Sequence, residues 1–155
     1  MKKIALTQGE FALVDDSDYE WINQWKWYLN KRGKSRYAKR GVWKNNKVGY
    51  ISMHRLILNA PIGVCVDHVD NNGINNQRHN IRLCTYQQNC FNRISNNKYK
   101  GVTNRWKTKK YESSIKFNGK LIHLGTFATP EEAAIAYNEM AIKLFGDFAK
   151  LNALI

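Results

Sequence analysis

The stretch VCVDHVDNNGINNQRHNIRLCTYQQNCFN, residues 64–92, carries the pattern that decides the fold of the first half of this chain. VCVDH is an apolar, β-branched run that ends on an Asp–His pair, and the Asn- and Gly-rich segment after it favours a turn. NIRLC then alternates as a partner strand would. Thr85 and Gln88, three residues apart, form a capping box, which predicts a helix that has Asn89 one turn inside it.

Three polar side chains are therefore expected to converge. Asp67 and His68 lie where the first strand ends, and Asn89 lies on the helix packed beside it. Two interpretations without a function are also open, because Asp–His pairs are common in surface turns and Asn-rich loops are common in general. The combination of strand, loop and capped helix in one register favours the functional interpretation.

The constellation resembles the HNH nuclease motif, in the His-Asn-Asn variant of phage and intron homing endonucleases. The resemblance covers residues 53–92 and includes HRLIL, which begins at His54. It implies a ββα-metal fold in which His68 is the general base, Asn80 braces the loop of the catalytic pair, and Asp67 and Asn89 hold one divalent metal. Many relatives have a second His where this chain has Asn89.

The chemistry of phosphodiester hydrolysis explains these residue types. The reaction needs a nucleophilic water and a cation that neutralises the departing 3′-oxygen. A carboxylate from Asp67 and an amide oxygen from Asn89 suit Mg²⁺ or Mn²⁺ better than Zn²⁺. Histidine has an ordinary pKa near 6.5, so His68 can be neutral at working pH and accept a proton from water. No small-molecule cofactor is expected.

Composition limits the function classes. The chain of 155 residues allows one domain or two small ones, and it has no apolar run long enough to span a membrane. The sequence therefore predicts a soluble, cytoplasmic protein, in the host cytoplasm if it is phage-encoded. The three cysteines lack any C-x-x-C pairing, which favours reduced thiols over a zinc site.

The charge distribution predicts a polyanionic partner. The formal net charge is +13, and between Trp21 and Tyr111 the only acidic residues are Asp67 and Asp70. Residues 31–47 contain eight Lys or Arg and no acid, with a turn expected at Asn45-Asn46. This segment is either a solvated basic hairpin or a DNA contact. The candidate DNA contacts are Arg36, Lys39 and Arg40.

The N-terminal residues suggest a strand pair followed by a short helix. Ser17 and Glu20 form a possible capping box at the start of that helix. The nearby aromatic cluster, Trp21, Trp25, Trp27 and Tyr28, is interpreted as a small core in preference to a base-stacking surface.

The C-terminal third predicts three strands and a helix. Asn118-Gly119 favours a type I′ hairpin turn, which pairs Ile115 with Ile122. The helix is predicted to begin after the cap residue Thr129 and to end at Gly146.

The segments YKGV, IHLGTF and EEAAIAYNEMAIKLFGDFAKLN resemble the DNA-binding domain of plant ethylene-response factors, the Apetala type. The resemblance implies a three-stranded sheet that lies in the major groove. The positions that match family DNA contacts are Lys100, Thr103, Arg105, Trp106, Lys116, Leu121 and His123. Thr103, Leu121 and His123 replace family Arg or Trp residues, so a target sequence does not carry over.

The sequence as a whole predicts an α+β protein. Residues 1–92 form an N-terminal ββα-metal HNH nuclease domain, residues 93–98 a linker, and residues 99–155 a small three-stranded antiparallel sheet packed on one helix. The predicted function is that of a homing-type, metal-dependent endonuclease that nicks or cuts double-stranded DNA, as a monomer or, alternatively, a dimer. The competing hypotheses are a non-catalytic, sequence-specific DNA-binding regulator and, less favoured, an RNA-directed enzyme.

Overall fold

The computed structural model describes residues 1–33, 35–44 and 47–154. It shows a mixed α/β protein with several small antiparallel sheets and few helices. The chain divides into two compact units, Met1–Asn89 and Cys90–Ile155. None of the described helices is long and apolar enough to cross a lipid bilayer.

The first unit opens with a two-stranded antiparallel sheet and a short helix. These elements are β1 (Lys2–Ala5), β2 (Phe11–Val14) and α1 (Asp16–Asn23). The strand pair and the helix agree with the sequence, but the capping box expected from Ser17 and Glu20 is wrong. Asp15 is the N-cap residue, and its side chain makes no capping hydrogen bond. It accepts hydrogen bonds from residues 77 and 78 instead.

A three-stranded antiparallel sheet and a second helix follow. They are β3 (Tyr28–Arg32), β4 (Ser35–Lys44), β5 (Lys47–Ser52) and α2 (Met53–Ile57), with β4 in the centre of the sheet. Leu29 and Ala38 pair across β3 and β4 and are buried in the core of the unit. The predicted turn at Asn45-Asn46 lies outside the described residues.

The stretch of residues 64–92 folds as a strand pair and a helix. Its elements are β6 (Cys65–His68), β7 (Ile81–Cys84) and α3 (Tyr86–Phe91). The predicted capping box is confirmed. The Gln88 backbone N–H donates to Thr85 Oγ1 at 3.1 Å, and the Thr85 N–H donates to Gln88 Oε1 at 2.8 Å.

The N-terminal tryptophans belong to the core of the first unit, as the sequence indicated, but Tyr28, predicted in the same cluster, lies on the opposite face of β3 from the buried Leu29. Trp27 is buried, and its indole N–H donates to the Ile22 carbonyl at 2.9 Å. Trp25 packs edge-to-face against both Trp21 and Trp27. Edge-to-face contacts of this kind add to the stabilisation that burial gives.

The second unit is a three-stranded antiparallel sheet packed on one long helix. Its elements are β8 (Val102–Arg105), β9 (Lys110–Phe117), β10 (Lys120–Phe127) and α4 (Pro130–Phe145). Positive φ angles at Asn118 (48°) and Gly119 (79°) confirm the type I′ turn, and Ile115 pairs with Ile122 as predicted. The capping box of Thr129 and Glu132 is present.

Gly101 shows why the sheet and helix of the second unit approach closely. Its φ is +77°, and a Cβ atom there would lie 2.1 Å from the Tyr137 ring and 2.7 Å from the Ser114 carbonyl oxygen. Only glycine combines this backbone conformation with the small volume that the contact demands.

Candidate functional site

Asp67 is fixed by an arginine on the neighbouring strand. The register of β6 and β7 places Arg82 directly opposite Asp67, which is 4% exposed. Nε and Nη2 of Arg82 donate to the same carboxylate oxygen, Oδ2, at 3.0 and 2.8 Å. Two charge-assisted hydrogen bonds from a planar guanidinium fix the orientation of the carboxylate.

His68 is buried, and an asparagine amide faces one of its ring nitrogens. Nε2 lies 3.4 Å from Oδ1 of Asn76, and the two residues are 6% and 0% exposed. Because an amide oxygen can only accept, this contact favours the tautomer with the proton on Nε2, in which Nδ1 is the unprotonated nitrogen. Burial lowers the pKa of His68, partly offset by Asn76, so the ring is neutral near pH 7.

The position of Asn76 is set by β2. The Leu13 N–H donates to the Ile74 carbonyl, and the Asn76 N–H donates to the Leu13 carbonyl, both at 2.8 Å. These two bonds attach the Asn-rich loop to the edge of β2 as a short parallel bridge. A segment more than 60 residues away in sequence thus places the amide that faces His68.

A second histidine and a tyrosine surround His68. The His54 and His68 rings meet edge-to-face with centroids 4.9 Å apart, and the Tyr37 ring lies 5.6 Å from His54 and 6.0 Å from His68. Burial is the main cause that lowers the pKa of His54 to about 3, followed by the nearby His68. The Nδ1 atom of His54 is buried without a hydrogen-bond partner in the described part of the chain.

Arg55 explains how α2 comes to lie beside β6. Its guanidinium donates to the carbonyls of Ala60, Pro61 and Val64 at 3.2, 2.7 and 2.6 Å. These bonds hold the segment that leads into β6 against the helix that carries His54. The adjacent residues His54 and Arg55 therefore act together. Arg55 fixes the segment that leads into β6, and His54 contacts His68.

Gly73 allows the Asn-rich loop to lie directly on β4. A Cβ at this position would be 2.2 Å from the Arg36 carbonyl oxygen and 2.7 Å from the Tyr37 ring. Real Cβ atoms do not approach this closely, so the contact requires glycine. The close approach brings the loop, and His68 with it, to the Tyr37 ring.

Asn80 connects the two ends of the loop. Its Oδ1 accepts from the Asp70 N–H at 3.0 Å, and its Nδ2 donates to Asp70 Oδ1 and to the Asn75 carbonyl at 2.9 and 2.8 Å. Its backbone carbonyl accepts from the Val69 N–H at 2.8 Å. This is the geometry of a brace.

Asn89 lies in the first turn of α3, close to Cys84. Burial raises the pKa of the Cys84 thiol to about 11, the negative charge of Asp67 contributes, and the Asn89 backbone N–H donates to the thiol. Cys84 is thus a neighbour of both expected metal ligands. Among the described residues, none forms a hydrogen bond with the Asn89 side-chain amide.

These donors fit a hard divalent cation better than zinc. A carboxylate and an amide oxygen are ligands that Mg²⁺ and Mn²⁺ accept, and the half-buried Asn89 amide has a coordination site to offer. Within residues 1–33, 35–44 and 47–154, no three His, Cys, Asp or Glu side chains cluster as a metal site would require. A metal here would depend on the amide and on water for its remaining ligands.

The three basic candidates of β4 lie on both faces of the sheet. Arg36 forms an ion pair with Glu10 at 2.7 Å, and the Arg40 guanidinium stacks 4.2 Å from the Trp25 ring. Lys39 lies on the opposite face, which it shares with Tyr37 because alternate residues of a strand point the same way. Of the three, Lys39 is therefore the one on the side of His68.

The exposed face of the second unit carries most of its candidate contacts. The exposed members are Thr103, Arg105, Lys116, Leu121 and His123, and Trp106 follows β8 with 82% of its surface exposed. The carboxylate of Glu112 lies among them, paired with Arg105 and 3.0 Å from Nδ1 of His123. The arginine on this face is thus held by an acid.

Lys100 has a structural position. Its Nζ donates to the carbonyls of Phe91 and Arg93, the latter at 2.8 Å. Burial and the nearby Lys150 lower the pKa of its ammonium group to about 8. A half-buried lysine engaged with carbonyls is a weaker candidate for DNA contact than the exposed residues of the sheet.

Comparison with known proteins bears on both units. An uncharacterized HNH endonuclease of Acanthamoeba polyphaga mimivirus is 35% identical over 153 residues, which are 95% of this chain and 77% of that protein. The chain belongs to the HNH endonuclease family. No family model matches the sequence.

Two plant proteins are similar to shorter parts of this HNH endonuclease-family chain. An ethylene-responsive transcription factor of Arabidopsis thaliana is 34% identical over 94 residues, 57% of this chain and 59% of the relative. A second one from the same plant is 48% identical over 56 residues, 35% of this chain and 30% of the relative.

Several residues around His68 in this HNH endonuclease-family chain were not singled out from the sequence. Arg82 was detectable, because a hairpin register that pairs His68 with Ile81 puts an arginine opposite Asp67. Asn76 was not, since nothing local distinguishes it from the other asparagines of the loop. Tyr37 reaches the site through packing between elements that are remote in sequence, and so does His54, which the sequence had named at the start of HRLIL.

Proposed function

We propose that this chain is a metal-dependent, homing-type DNA endonuclease that hydrolyses phosphodiester bonds in double-stranded DNA. The observation that carries the proposal is the state of His68. It is a buried ring whose pKa is lowered by burial, and its Nε2 lies 3.4 Å from Oδ1 of Asn76, a contact that fits the tautomer in which Nδ1 is the basic nitrogen. A base in this state beside a fixed carboxylate is suited to activating water.

The residues have distinct roles in the proposed reaction. His68 takes a proton from the attacking water at Nδ1, and the Asn76 amide holds the ring in the required tautomer. Asn80 is a positioning residue, because it fixes the loop between β6 and β7. Arg82 orients the Asp67 carboxylate. The Tyr37 and His54 rings exclude water from one side of the imidazole.

One divalent cation, Mg²⁺ or Mn²⁺, belongs to the proposal. Asp67 and Asn89 would hold it, and when bound it would supply positive charge to the scissile phosphate and the leaving 3′-oxygen. The chemistry of the donor set supports this, since a carboxylate and a half-buried amide are oxygen donors that suit such a cation.

The second unit is proposed as an Apetala-type DNA-binding domain. Its sheet presents exposed cationic and polar side chains on one face and covers the other with α4. A β-ribbon fits the width of the major groove of B-form DNA. The corresponding domain organisation is a nuclease domain over residues 1–92, a linker over 93–98 and a DNA-binding domain over 99–155.

A plasmid-nicking assay with purified full-length protein tests the activity. Parent protein is expected to convert supercoiled DNA to the open-circular form with Mg²⁺ or Mn²⁺ but not with EDTA. His68→Ala and Asp67→Ala are each expected to reduce the rate at least a hundredfold. His79→Ala is the matched control, because His79 lies in the same loop but is exposed.

The similarity to two transcription factors favours one competing function, a DNA-binding regulator without catalysis. That function predicts protection of DNA from a footprinting reagent and no cleavage with either metal. Equal nicking rates for parent and His68→Ala would remove the base assignment. Preferential cleavage of structured RNA would contradict duplex DNA as the substrate.

A further inference from the structure

The β3–β4–β5 sheet has one face that is partly covered and partly bare. Pairing across the strands puts Tyr28, Tyr37, Lys39, Gly41, Trp43, Val48 and Tyr50 on this face. At one end, Tyr37 is covered by Gly73, His54 and His68. At the other end, Trp43 is 79% exposed, Tyr50 65% and Val48 48%. The aromatic face, defined here as Tyr28, Gly41, Trp43, Val48 and Tyr50, thus continues from the His68 site into solvent.

The aromatic face has the shape of a shallow seat. Gly41 pairs with Tyr50 and lies two residues before Trp43, so it forms a floor between large side chains. A Cβ at Gly41 would contact nothing within 4 Å. Tyr28 and Tyr50 pack edge-to-face with centroids 6.2 Å apart, which orders one side of the seat. An apolar patch of this kind on a soluble domain commonly marks an interaction site.

The charge around the patch selects the occupant. Of the seven Lys or Arg among the described residues of β3, β4 and β5, Arg32 and Lys39 lie on the same face as the patch, and no described residue of these strands is Asp or Glu. A protein partner would have to be strongly acidic to sit there, whereas the sugar–phosphate backbone of DNA supplies negative charge beside apolar sugar and base surfaces. Exposed Trp and Tyr in basic surroundings are the side chains that stack on or wedge between bases.

We propose that the aromatic face seats the DNA duplex on one side of the cleavage point, with Trp43 packed as a wedge against one base step. The inference rests on the proposed nuclease function and adds a second contact region to it. Trp43 is six residues from Tyr37 along β4, about 20 Å at roughly 3.3 Å per residue. With about 3.4 Å per base pair, Trp43 meets the duplex roughly six pairs from the phosphate at His68.

The test uses 2-aminopurine, whose fluorescence rises when its base loses stacking. After the cut site has been mapped, the probe is placed at each position within ten pairs of the cut, and catalytically inactive His68→Ala protein is added. The expected result is a fluorescence rise centred roughly six pairs away on one side. Adding Trp43→Ala is expected to abolish the rise and weaken binding about tenfold. Phe11→Ala is the matched control, an exposed aromatic on β2.

The salt dependence separates the aromatic contact from a charge contact. Trp43→Ala should leave the slope of log affinity against log salt unchanged, because an apolar contact releases no counterions. Lys39→Ala should reduce the slope by about one. Gly41→Val should weaken binding like Trp43→Ala, while its melting temperature stays at or above that of the parent because its Cβ would meet nothing within 4 Å and valine favours strands.

The outcomes for the aromatic face and the nuclease are separable. If the parent nicks DNA but Trp43→Ala changes neither the fluorescence nor the affinity, the aromatic face does not bind DNA. The proposed nuclease function is then unaffected. If the parent never nicks DNA but binds duplex DNA with an affinity that Trp43→Ala lowers about tenfold, the DNA contact of the aromatic face is supported and the nuclease function fails. Dissociation of a dimer by Trp43→Ala, without an effect on DNA, would instead make this face an interface between copies of the chain.

Discussion

Nε and Nη2 of Arg82 donate to a single oxygen of Asp67, Oδ2, at 3.0 and 2.8 Å. The arginine therefore fixes the rotation of a buried carboxylate that the proposed mechanism uses as a metal ligand. The pair forms across two strands whose register is determined by the core. A carboxylate with a fixed orientation can present a defined edge to a cation. Arg82 therefore contributes by positioning Asp67.

Arg82→Lys should impair cleavage although it keeps the charge. Lysine cannot donate two parallel hydrogen bonds to one carboxylate oxygen from a planar group, so Asp67 loses its fixed orientation. We expect the Mg²⁺ concentration for half-maximal nicking to rise roughly tenfold to a hundredfold, with a smaller loss at saturating metal. Arg93→Lys, at an exposed position, is the control. An unchanged metal requirement would show that Arg82 does not orient a ligand.

Asn76→Asp should move the pH profile of cleavage toward alkaline pH. A carboxylate facing Nε2 of His68 stabilises the imidazolium, which raises the pKa of the base. Because the base must be neutral, the rate should fall at pH 7 and recover at higher pH. Asn23→Asp adds the same charge at an exposed position and should leave the profile in place. A uniform loss of rate at every pH would point to misfolding, which the melting temperature would reveal.

Gly73→Ala should destabilise the first unit by about 2 kcal/mol, because overpacking a tight contact typically costs 1–3 kcal/mol. The added methyl group would meet the Arg36 carbonyl at 2.2 Å, and neither strand nor loop can move without breaking hydrogen bonds. Gly41→Ala is the matched comparison, since its methyl group enters open space and should be neutral or slightly stabilising. Urea unfolding of both variants measures the difference; equal stabilities would contradict the packing of the loop on β4.

The buried histidines should make the protein sensitive to acid. Burial lowers the pKa of His54 to about 3. Below pH 6.5 this histidine is therefore protonated in the unfolded chain but remains neutral in the folded chain. The free energy of unfolding is therefore unaffected above pH 6.5 and falls as the pH drops toward 3. The slope is at most about 1.4 kcal/mol per pH unit for each such histidine.

Denaturant titrations between pH 6.5 and 4.5 measure this slope above the range in which carboxylates dominate. His54→Gln should show a shallower slope than the parent, and His79→Gln, at an exposed position, should show the parent slope. If the parent and His54→Gln show the same slope, His54 is protonated in the folded state.

Glu112→Gln should raise the DNA affinity of the second unit and lower its discrimination between DNA sequences. The carboxylate holds Arg105 and His123 and repels phosphates, so its removal should strengthen binding to random DNA several-fold at low salt. A freed Arg105 samples more orientations, so discrimination between preferred and random sequences should decrease. Glu139→Gln, exposed on α4, removes the same charge elsewhere. Weaker binding to both kinds of DNA would show that Glu112 is structural.

Local chemistry within residues 64–92 was sufficient to predict two strands, a loop and a capped helix. The Thr85–Gln88 capping box formed as predicted, because its hydrogen bonds join residues three positions apart. The Asn118-Gly119 turn fixed the register of β9 and β10 for the same reason. The capping box at Ser17 failed, since Asp15 takes the cap position while its carboxylate binds the Asn-rich loop.

The sequence by itself determined the local elements, the Asp67–His68 pair and the basic character of the chain. Tertiary structure alone decided which of many asparagines faces His68, because two backbone bonds from Leu13 select Asn76. It also decided that Tyr37 and His54 enclose the imidazole and that Lys39, unlike Arg36 and Arg40, lies on that side of the sheet. Contacts between residues far apart in sequence depend on how the elements pack, and no short-range pattern encodes that packing.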